Sequence, residues 1–329
     1  MITAHVLARR TDYEIARAQW REAFEYQERV GGKKVRTAIA LALSTVYKLA
    51  SHQTHVLCEA IELLNTSTLI HDDVLDGDKI RRGLPSVWAK FGVEIALNSG
   101  MCGYLAGLQR LAKYFNIGVL EAALTSLERL HVGQHLDLQF SNGDVLPTRE
   151  EYELIAQANT GCLFVFLLEA CQCLAPIDEA TYLELNALLL ELAVYYRYVN
   201  DYSDVNHIPH YEKKGFAPDL EGGPKSILMI LAKEPLSKGK KTNAQKKKII
   251  TAYGRAGVFD AALVLIDTTY ASIERRLETI TGLHPEHDLH PLMDVLSELR
   301  FEPTPADNYY QQYLAGGRPL HRTAPGQGN

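Results

Sequence analysis

The order of apolar and polar residues predicts helices along almost the whole chain. Apolar residues recur three and four positions apart, a spacing that places them on one face of an α-helix. The longest such pattern runs through 54–76 without Gly or Pro. No segment alternates apolar and polar residues long enough to indicate a strand. The predicted fold class is therefore all-α. Further helices are predicted over 93–115, 118–141, 151–174 and 180–206.

Capping residues and helix breakers set the predicted boundaries. Gly77 and then Gly83-Leu84-Pro85 predict a loop after the 54–76 helix. A second loop, rich in Gly, Pro and charged residues, is predicted over 209–224 at the mouth of a cavity. We expect one all-α domain over residues 1–302 and a disordered C-terminal tail over 303–329. Two capping boxes mark helix starts: Thr11 with Glu14, and Thr148 with Glu151.

Composition narrows the class of protein. The chain has 329 residues, of which 47% are hydrophobic, enough for a large core. With 40 acidic and 34 basic residues the net charge is −6, which argues against a nucleic-acid partner. The five cysteines, an odd number, indicate free thiols in a reducing compartment. Because neither a signal-peptide pattern nor a run of about 18 apolar residues is present, we expect a cytoplasmic protein without stable membrane insertion.

Candidate chemistry begins with an acidic cluster late on the 54–76 helix. Leu69-Ile70-His71-Asp72-Asp73-Val74-Leu75-Asp76 is followed closely by Arg81-Arg82-Gly83. Residues three and four apart share a helix face, so Asp72, Asp73 and Asp76 can point into one cavity. Carboxylates grouped in this way repel each other and favour a cation. Hard oxygen ligands completed by water and phosphate suit Mg²⁺.

A second cluster repeats this spacing with one residue changed. Asn200-Asp201-Tyr202-Ser203-Asp204 lies at the end of the 180–206 helix. With the first cluster and three further segments, it resembles the trans-isoprenyl diphosphate synthases, also called polyprenyl synthetases, from about residue 30 to 230. Within that family the chain is similar to the geranylgeranyl diphosphate synthases, with a variant second motif that begins with Asn200. The further segments are Gly31-Gly32-Lys33-Lys34-Val35-Arg36, Gly133-Gln134-His135-Leu136-Asp137 and Lys214-Gly215-Phe216-Ala217-Pro218-Asp219.

The resemblance implies a single-domain helical bundle around a central apolar cavity, and a role for each matching residue. Up to three Mg²⁺ ions would bind the allylic diphosphate between the two clusters. Arg81 would contact that diphosphate, and Gln134 with Asp137 would lie near the metals and the reacting carbon. Lys33, Arg36 and Arg82 would hold the phosphate of the second substrate. The implied metal ligands or their supports are Asp72, Asp73, Asp76, Asn200, Asp201 and Asp204.

The length of the prenyl chain is also readable by resemblance. Ser67 and Thr68 are small at positions where family members with short products carry bulky plugs. The floor of the tunnel would lie near Tyr104, Leu105 and His131. This favours a C15 or C20 chain over C10.

Several residues depart from the family pattern. Asn200 stands in place of an aspartate, and an amide oxygen brings no charge to a metal. Asn159, in Asn159-Thr160-Gly161, stands where a lysine contacts the allylic diphosphate. Asn65 replaces a histidine or glutamine near isopentenyl diphosphate, and Arg197 replaces a glutamine. Lys214 is retained, and Lys225 ends a displaced form of a Glu-Gly-Lys motif, Glu221-Gly222-Gly223-Pro224-Lys225.

These departures leave the half of the site that ionises a C10–C20 allylic diphosphate and alter the half that holds the acceptor. Two acceptors remain open: isopentenyl diphosphate, and an aromatic one such as indole-3-glycerol phosphate. Relatives with a similar Asn-Asp-x-x-Asp motif include fungal indole geranylgeranyl transferases and plant enzymes that join prenyl units irregularly. A terpene cyclase on the same scaffold, or a non-catalytic partner subunit of a prenyl synthase, are the alternatives. By resemblance we also expect a homodimer.

Overall fold

The computed structural model describes residues 11–29 and 31–314, which form a bundle of helices with one short hairpin. The predicted all-α class is confirmed. The strands are β1 (Ile80–Arg81) and β2 (Leu84–Pro85). The helices are α1 (Thr11–Arg29), α2 (Val35–Val46), α3 (Ser51–Asp76), α4 (Val87–Phe91), α5 (Val93–Tyr114), α6 (Ile117–Ser141), α7 (Arg149–Ala156), α8 (Cys162–Leu174), α9 (Glu179–Asn206), α10 (Ile208–Lys214), α11 (Ile227–Ala232), α12 (Asn243–Arg255), α13 (Val258–Leu283), α14 (His290–Leu299) and α15 (Tyr309–Leu314).

The core surrounds α8, whose first seven residues, 162–168, are all buried. A helix that is apolar on every face is stable in water only when other helices enclose it. Here α2, α6 and α9 do so. By length and composition Arg149–Leu174 would also suffice to cross a membrane, yet 67% of its most apolar window is buried inside the protein. The bent pair α12 and α13 passes the same test only if both are counted as one span. Absence of membrane insertion stays a prediction.

The two helices that carry the acidic clusters have well-defined boundaries. Helix α3 stops because Gly77 adopts a left-handed conformation (φ +73°), which glycine tolerates without strain. Helix α9 starts where Asp178 caps the backbone N–H of Thr181 at 2.9 Å and ends at Asn206. Each acidic cluster therefore occupies the last turns of a helix of at least 26 residues.

Helix α3 packs closely along α5 because α5 carries glycines at the contact. A Cβ atom on Gly103 would overlap Phe24 of α1 and Ser67 of α3, and one on Gly107 would overlap Leu64. Any larger residue would push these helices apart. The small residues thus fix the position of the first acidic cluster relative to α5.

The loop predicted after α3 contains a tight hairpin, in which Ile80 pairs with Pro85 and Arg81 with Leu84. Arg82 (φ +55°) and Gly83 (φ +82°) form the turn with two left-handed residues, the geometry that suits a two-residue hairpin. The backbone N–H of Gly83 donates to Lys213 O at 2.9 Å and ties the turn to α10. No strand was predicted here, because two-residue strands carry no visible alternation.

Two other predictions of secondary structure are corrected. The helix predicted over 151–174 begins at Arg149 and is interrupted by a π-helical turn, Gln157–Gly161, which adds a residue that a three-four spacing does not detect. The predicted 209–224 loop begins with α10, since Pro209 lies in the first turn, where its missing N–H costs nothing.

The capping box of Thr148 and Glu151 is confirmed, with bonds of 3.2 and 2.7 Å. That of Thr11 depends on a side chain outside the described residues.

Part of the predicted disordered tail is folded instead. Asn308 pairs with His207 in an isolated bridge, and the N–H of Tyr310 donates to Asn206 Oδ1 at 2.9 Å. Tyr309 is 1% exposed, so burial of this aromatic side chain holds the segment against the bundle. Residues 315–329 lie outside the described residues.

Candidate active site

The first acidic cluster is organised around Arg81 of the hairpin. Its Nε donates to Asp73 Oδ1 at 2.7 Å, its Nη2 contacts the same oxygen, and Nη2 also donates to Asp72 Oδ2 at 3.1 Å. Asp73 is fully buried, and burial raises the pKa of Asp73 to about 6 despite the opposing effect of Arg81. Asp73 therefore serves chiefly to hold Arg81 in place.

Asp72 and Asp76 lie one turn apart and keep more exposure than Asp73. Burial and the charge of Asp76 raise the pKa of Asp72, because two nearby carboxylates resist ionising together. Asp76 Oδ1 accepts a hydrogen bond from Lys225 Nζ at 2.9 Å. The carboxylate oxygens of Asp72 and Asp76 are hard ligands and are partly open to solvent. Mg²⁺ prefers ligands of this kind, so the first cluster fits a divalent cation.

The second cluster is more enclosed. Asp201 Oδ2 accepts hydrogen bonds from Tyr152 Oη and from the N–H of Ile227, both at 2.9 Å. Asp204 Oδ2 accepts the N–H of Asp219 at 2.8 Å, and burial together with Asp219 raises the pKa of Asp204 well above its usual range. Asn200 is half-buried beside them.

Asp137 joins the two clusters. Its Oδ2 accepts Lys225 Nζ at 2.8 Å and its Oδ1 accepts Arg197 Nη2 at 2.9 Å. Lys225 also pairs with Asp76, and Arg197 Nε lies 3.5 Å from Asp201 Oδ1. Burial would raise the pKa of Asp137, but Lys225 and Arg197 outweigh this effect and hold that pKa below its usual range. Ion pairs thus run unbroken from α3 through α6 to α9.

Lys214, at the end of α10, adds a further cation near both clusters. Its Nζ lies 3.8 Å from Asp78 Oδ2. Although burial lowers the pKa of Lys214, Asp219, Asp78 and Asp204 raise it above the ordinary value, so this amine stays charged. Burial raises the pKa of Asp219 itself to about 7.

Two of the basic residues predicted to hold the acceptor, Arg36 and Arg82, lie near the first cluster, since Asp72 and Asp73 each oppose the lowering of one of their pKa values. The Arg82 guanidinium packs directly on Gly32, where a Cβ would overlap it. The Arg36 guanidinium lies 5.5 Å from the ring centre of Phe164, and burial lowers the pKa of Arg36. Lys33 is exposed. Within residues 11–29 and 31–314, Arg36 Nε and Asn65 Oδ1 are buried without a hydrogen-bond partner.

The other polar residues predicted in the site lie at the π-helical turn. Asn159 Nδ2 donates to Gln134 Oε1 at 3.3 Å, so this amide lies against Gln134. Its contact with a diphosphate stays a prediction. A Cβ on Gly133 would overlap Asn159, which explains the glycine there. Thr160 is half-buried on the same turn.

The predicted tunnel residues separate into two groups. Tyr104 is 5% exposed and makes edge-to-face contacts with His71 and His131, with ring centres 5.4 and 5.7 Å away. Burial raises the pKa of Tyr104, and Asp72 adds to this effect, which places the phenol near the first cluster. Leu105 instead is 51% exposed on the outer face of α5, because consecutive helical residues point about 100° apart.

The two small residues before the first cluster have different surroundings. Ser67 is fully buried against α5, and its Oγ donates to Leu63 O at 2.8 Å. Thr68 is half-buried and donates to Asn65 O at 2.7 Å. Ser67 is therefore small because Gly103 and Phe24 leave no more room beside it.

Two residues of this site were missed by the sequence interpretation. Tyr152 positions Asp201, yet a tyrosine one turn into a helix gives no sequence signal. Asp78 pairs with Arg81 at 3.9 Å and with Lys214, but it follows the helix break, where the sequence predicts only a loop.

The chain matches one known protein family over most of its length. The model of the polyprenyl synthetase family matches residues 17–263. The chain belongs to the polyprenyl synthetase family. The resemblance inferred from the motifs is thereby confirmed.

Relatives and a solved structure agree with this assignment. A geranylgeranyl pyrophosphate synthase of Macrophomina phaseolina is 30% identical over 210 residues, 64% of each chain. A bifunctional sesterterpene synthase of Talaromyces wortmannii is 27% identical over 279 residues, 84% of this chain and 36% of that protein. The match thus spans less than two thirds of either relative. The polyprenyl synthase of Caulobacter crescentus, solved with calcium and isoprenyl diphosphate, superposes with a TM-score of 0.75 at 22% identity over 84% of this chain and 86% of that one.

Proposed function

We propose that this protein is a divalent-metal-dependent prenyltransferase that ionises an allylic diphosphate of C10–C20 and couples the prenyl group to an acceptor. The unbroken run of ion pairs Asp76–Lys225–Asp137–Arg197–Asp201 carries the proposal, because it holds two acidic clusters from distant helices at one site. Membership of the polyprenyl synthetase family and the geranylgeranyl pyrophosphate synthase relative support it.

Asp72 and Asp76 would hold the divalent cation, for which Mg²⁺ is our choice. When bound, such an ion acts as a Lewis acid and withdraws charge from diphosphate oxygens. The predicted maximum of three ions stays a prediction. Cations of the chain contribute in the same direction: Arg81 is fixed by Asp73, and Lys214 and Lys225 are fixed by other carboxylates.

The proposed reaction breaks the C–O bond of the allylic substrate, and pyrophosphate leaves with the electron pair. The fixed cations stabilise the departing charge without having to reorient, which is the advantage of a preorganised site. The allylic cation is then attacked by the π electrons of the acceptor, which loses a proton to the departed pyrophosphate. Tyr104 and its contacts below Asp72 would exclude water from the prenyl chain.

Isopentenyl diphosphate is the acceptor that we propose first. Lys33, Arg36 and Arg82 would together hold the phosphate of this second substrate, as the family resemblance implies. A terpene cyclase has no second substrate and no use for this group.

An aromatic acceptor, indole-3-glycerol phosphate, is the second candidate, and Asn65 favours it. Asn65 Oδ1 is a buried acceptor without a partner in the described part of the chain. Leaving such an atom unsatisfied costs free energy, and an indole N–H is a donor that isopentenyl diphosphate lacks. The same three cations would hold its phosphate.

The assay offers labelled C10, C15 and C20 allylic diphosphates with Mg²⁺ and either acceptor. A prenylated product with one or both acceptors supports the proposal, and the better acceptor identifies the substrate class. Hydrocarbon released without an acceptor would indicate a cyclase instead. No product under any condition, with full activity restored to a partner synthase, would indicate a non-catalytic subunit.

A homodimer is part of the proposal. On α5, Leu97, Met101 and Leu105 recur every four residues and are 42–52% exposed, and on α6 Leu124 and Val132 are 49% and 56% exposed. A stripe of this kind is costly in water and suits a second copy of the chain. Sedimentation of the wild type as a dimer and of Leu105→Glu as a monomer would support this. We also propose a cytoplasmic location, where the five cysteines remain thiols.

A further inference from the structure

The second acidic cluster differs from the first in how its oxygens are occupied. Both oxygens of Asp201 are engaged: Oδ2 accepts Tyr152 Oη and the N–H of Ile227, and Oδ1 lies 3.5 Å from Arg197 Nε. The Asp201 side chain is 3% exposed, so no further ligand reaches it without breaking these contacts.

Arg197 is a permanent cation built into this cluster. Its Nη2 donates to Asp137 at 2.9 Å, and its guanidinium lies 5.8 Å from the ring centre of Tyr152. The side chain is 18% exposed, so one edge still reaches the site. A guanidinium fixed by two carboxylates and an aromatic ring cannot be displaced cheaply, and it stays charged at every working pH.

Charge at the second cluster therefore differs from that at the first. Asn200 is neutral, and Arg197 adds a positive charge beside Asp201. Asp204 is fully buried: its Oδ2 accepts the N–H of Asp219, and its Oδ1 is enclosed without a hydrogen-bond partner among the described residues. A hard divalent cation needs several anionic oxygens and is repelled by a fixed cation. At the first cluster Asp72 and Asp76 also pair with cations, Arg81 and Lys225, but their side chains are 36% and 25% exposed, so an ion from solvent can still reach them.

We propose that Arg197 takes the place of a metal ion at the second acidic cluster, so that divalent cations bind through Asp72 and Asp76 alone. The Arg197 guanidinium, with Lys225 on the other oxygen of Asp137, supplies the positive charge that faces the substrate diphosphate from α9. This inference rests on the proposed function, since it assigns the charges around the same diphosphate.

The test counts bound metal rather than turnover. The full chain is dialysed to equilibrium against Mn²⁺ and inorganic pyrophosphate, and manganese and phosphorus per chain are measured by elemental analysis. The double substitution Arg197→Gln with Asn200→Asp restores the anionic oxygens and removes the cation. It is expected to bind one more Mn²⁺ per chain than the wild type.

Two single variants keep the test decisive if the double variant folds poorly. Asp204→Asn in the wild-type background is expected to leave bound Mn²⁺ unchanged, whereas Asp76→Asn reduces it. Loss of Mn²⁺ on Asp204→Asn, or equal metal content in a folded double variant and the wild type, would overturn the role of Arg197 while leaving the proposed function intact. If the wild type retained neither Mn²⁺ nor pyrophosphate, the proposed function itself would fail.

Discussion

Lys225 Nζ lies 2.8 Å from Asp137 Oδ2 and 2.9 Å from Asp76 Oδ1, and so one amine joins the first acidic cluster to α6. The Lys225 side chain is 14% exposed. Burial opposes its charge, yet the two carboxylates raise the pKa of Lys225 above its ordinary value. The position of Asp76 relative to the second cluster depends on this contact.

Replacing Lys225 by methionine should destabilise the protein by about 3 kcal/mol, because the buried carboxylate of Asp137 would keep its charge with one partner fewer. Urea unfolding followed by circular dichroism measures this. Lys240→Met is the matched control, since Lys240 is exposed, and it should change stability by less than about 0.5 kcal/mol. Equal stability of the two variants would show that the Lys225 bridge is not formed in solution.

Replacing Asp72 by asparagine should lower the rate of prenyl transfer by at least about 100-fold, since removing one preorganised charge of this kind costs several kcal/mol of transition-state stabilisation. Thermal stability should change little, because the side chain is 36% exposed. The exposed Asp294 on α14 provides the control substitution Asp294→Asn. A rate within threefold of the wild type for Asp72→Asn would contradict a metal role for this residue.

Gly103→Ala should destabilise the protein by about 1–3 kcal/mol, because the added methyl overlaps Phe24 and Ser67 and overpacks the contact between α3 and α5. Gly282→Ala in α13 is the opposite case. No atom of the described residues lies within 4 Å of the added Cβ apart from the local helix, so the helix should gain about 0.5–1 kcal/mol. Chemical denaturation of both variants tests the pair, and a stabilising Gly103→Ala would refute this packing.

His210 should make stability depend on pH. Burial, with Lys214 and His207, lowers the pKa of His210 to about 3, against about 6.5 in an unfolded chain. The unfolded state then binds more protons below pH 6.5, so stability is complete above that pH and is lost as pH falls towards 3. Between pH 7 and pH 5 the loss from this one group is about 2 kcal/mol.

His210→Asn should remove that part of the pH dependence. Unfolding of wild type and variant is compared at pH 7 and pH 5, with exposed His52→Gln as the control. The variant should lose less stability than the wild type on acidification, and the control should behave as the wild type. Parallel pH profiles for all three proteins would mean that His210 is not buried in its neutral form.

The sequence was sufficient for the fold class and for most of the acidic site. Long three-four periodicity survives in a helical bundle because each helix buries one face. Asp72 and Asp76 lie at a helix end that Gly77 marks, and Asp204 lies in the last turn of α9. The motifs at Gly133 and Lys214 were also brought to the same site.

What the sequence could not supply were contacts between distant segments. The shared use of Asp137 by Lys225 and Arg197 joins residues 60 and 88 positions away along the chain. Tyr152 reaches Asp201 from another helix in the same way. Leu105 points outward although its neighbour Tyr104 is buried, because successive residues of α5 face different directions. The resemblance alone did not distinguish these two positions. The folded segment before residue 314 depends on burial of Tyr309, a contact with the bundle that no local pattern predicts.

The most direct measurement is a crystal structure with Mn²⁺ and a farnesyl thiolodiphosphate that cannot ionise. Anomalous scattering locates the metal, and the electron density locates both ends of the substrate. We predict manganese on Asp72 and Asp76, diphosphate between those residues and Arg197, and the prenyl chain directed towards Tyr104. A diphosphate bound away from α3, or one touched by only one acidic cluster, would contradict it.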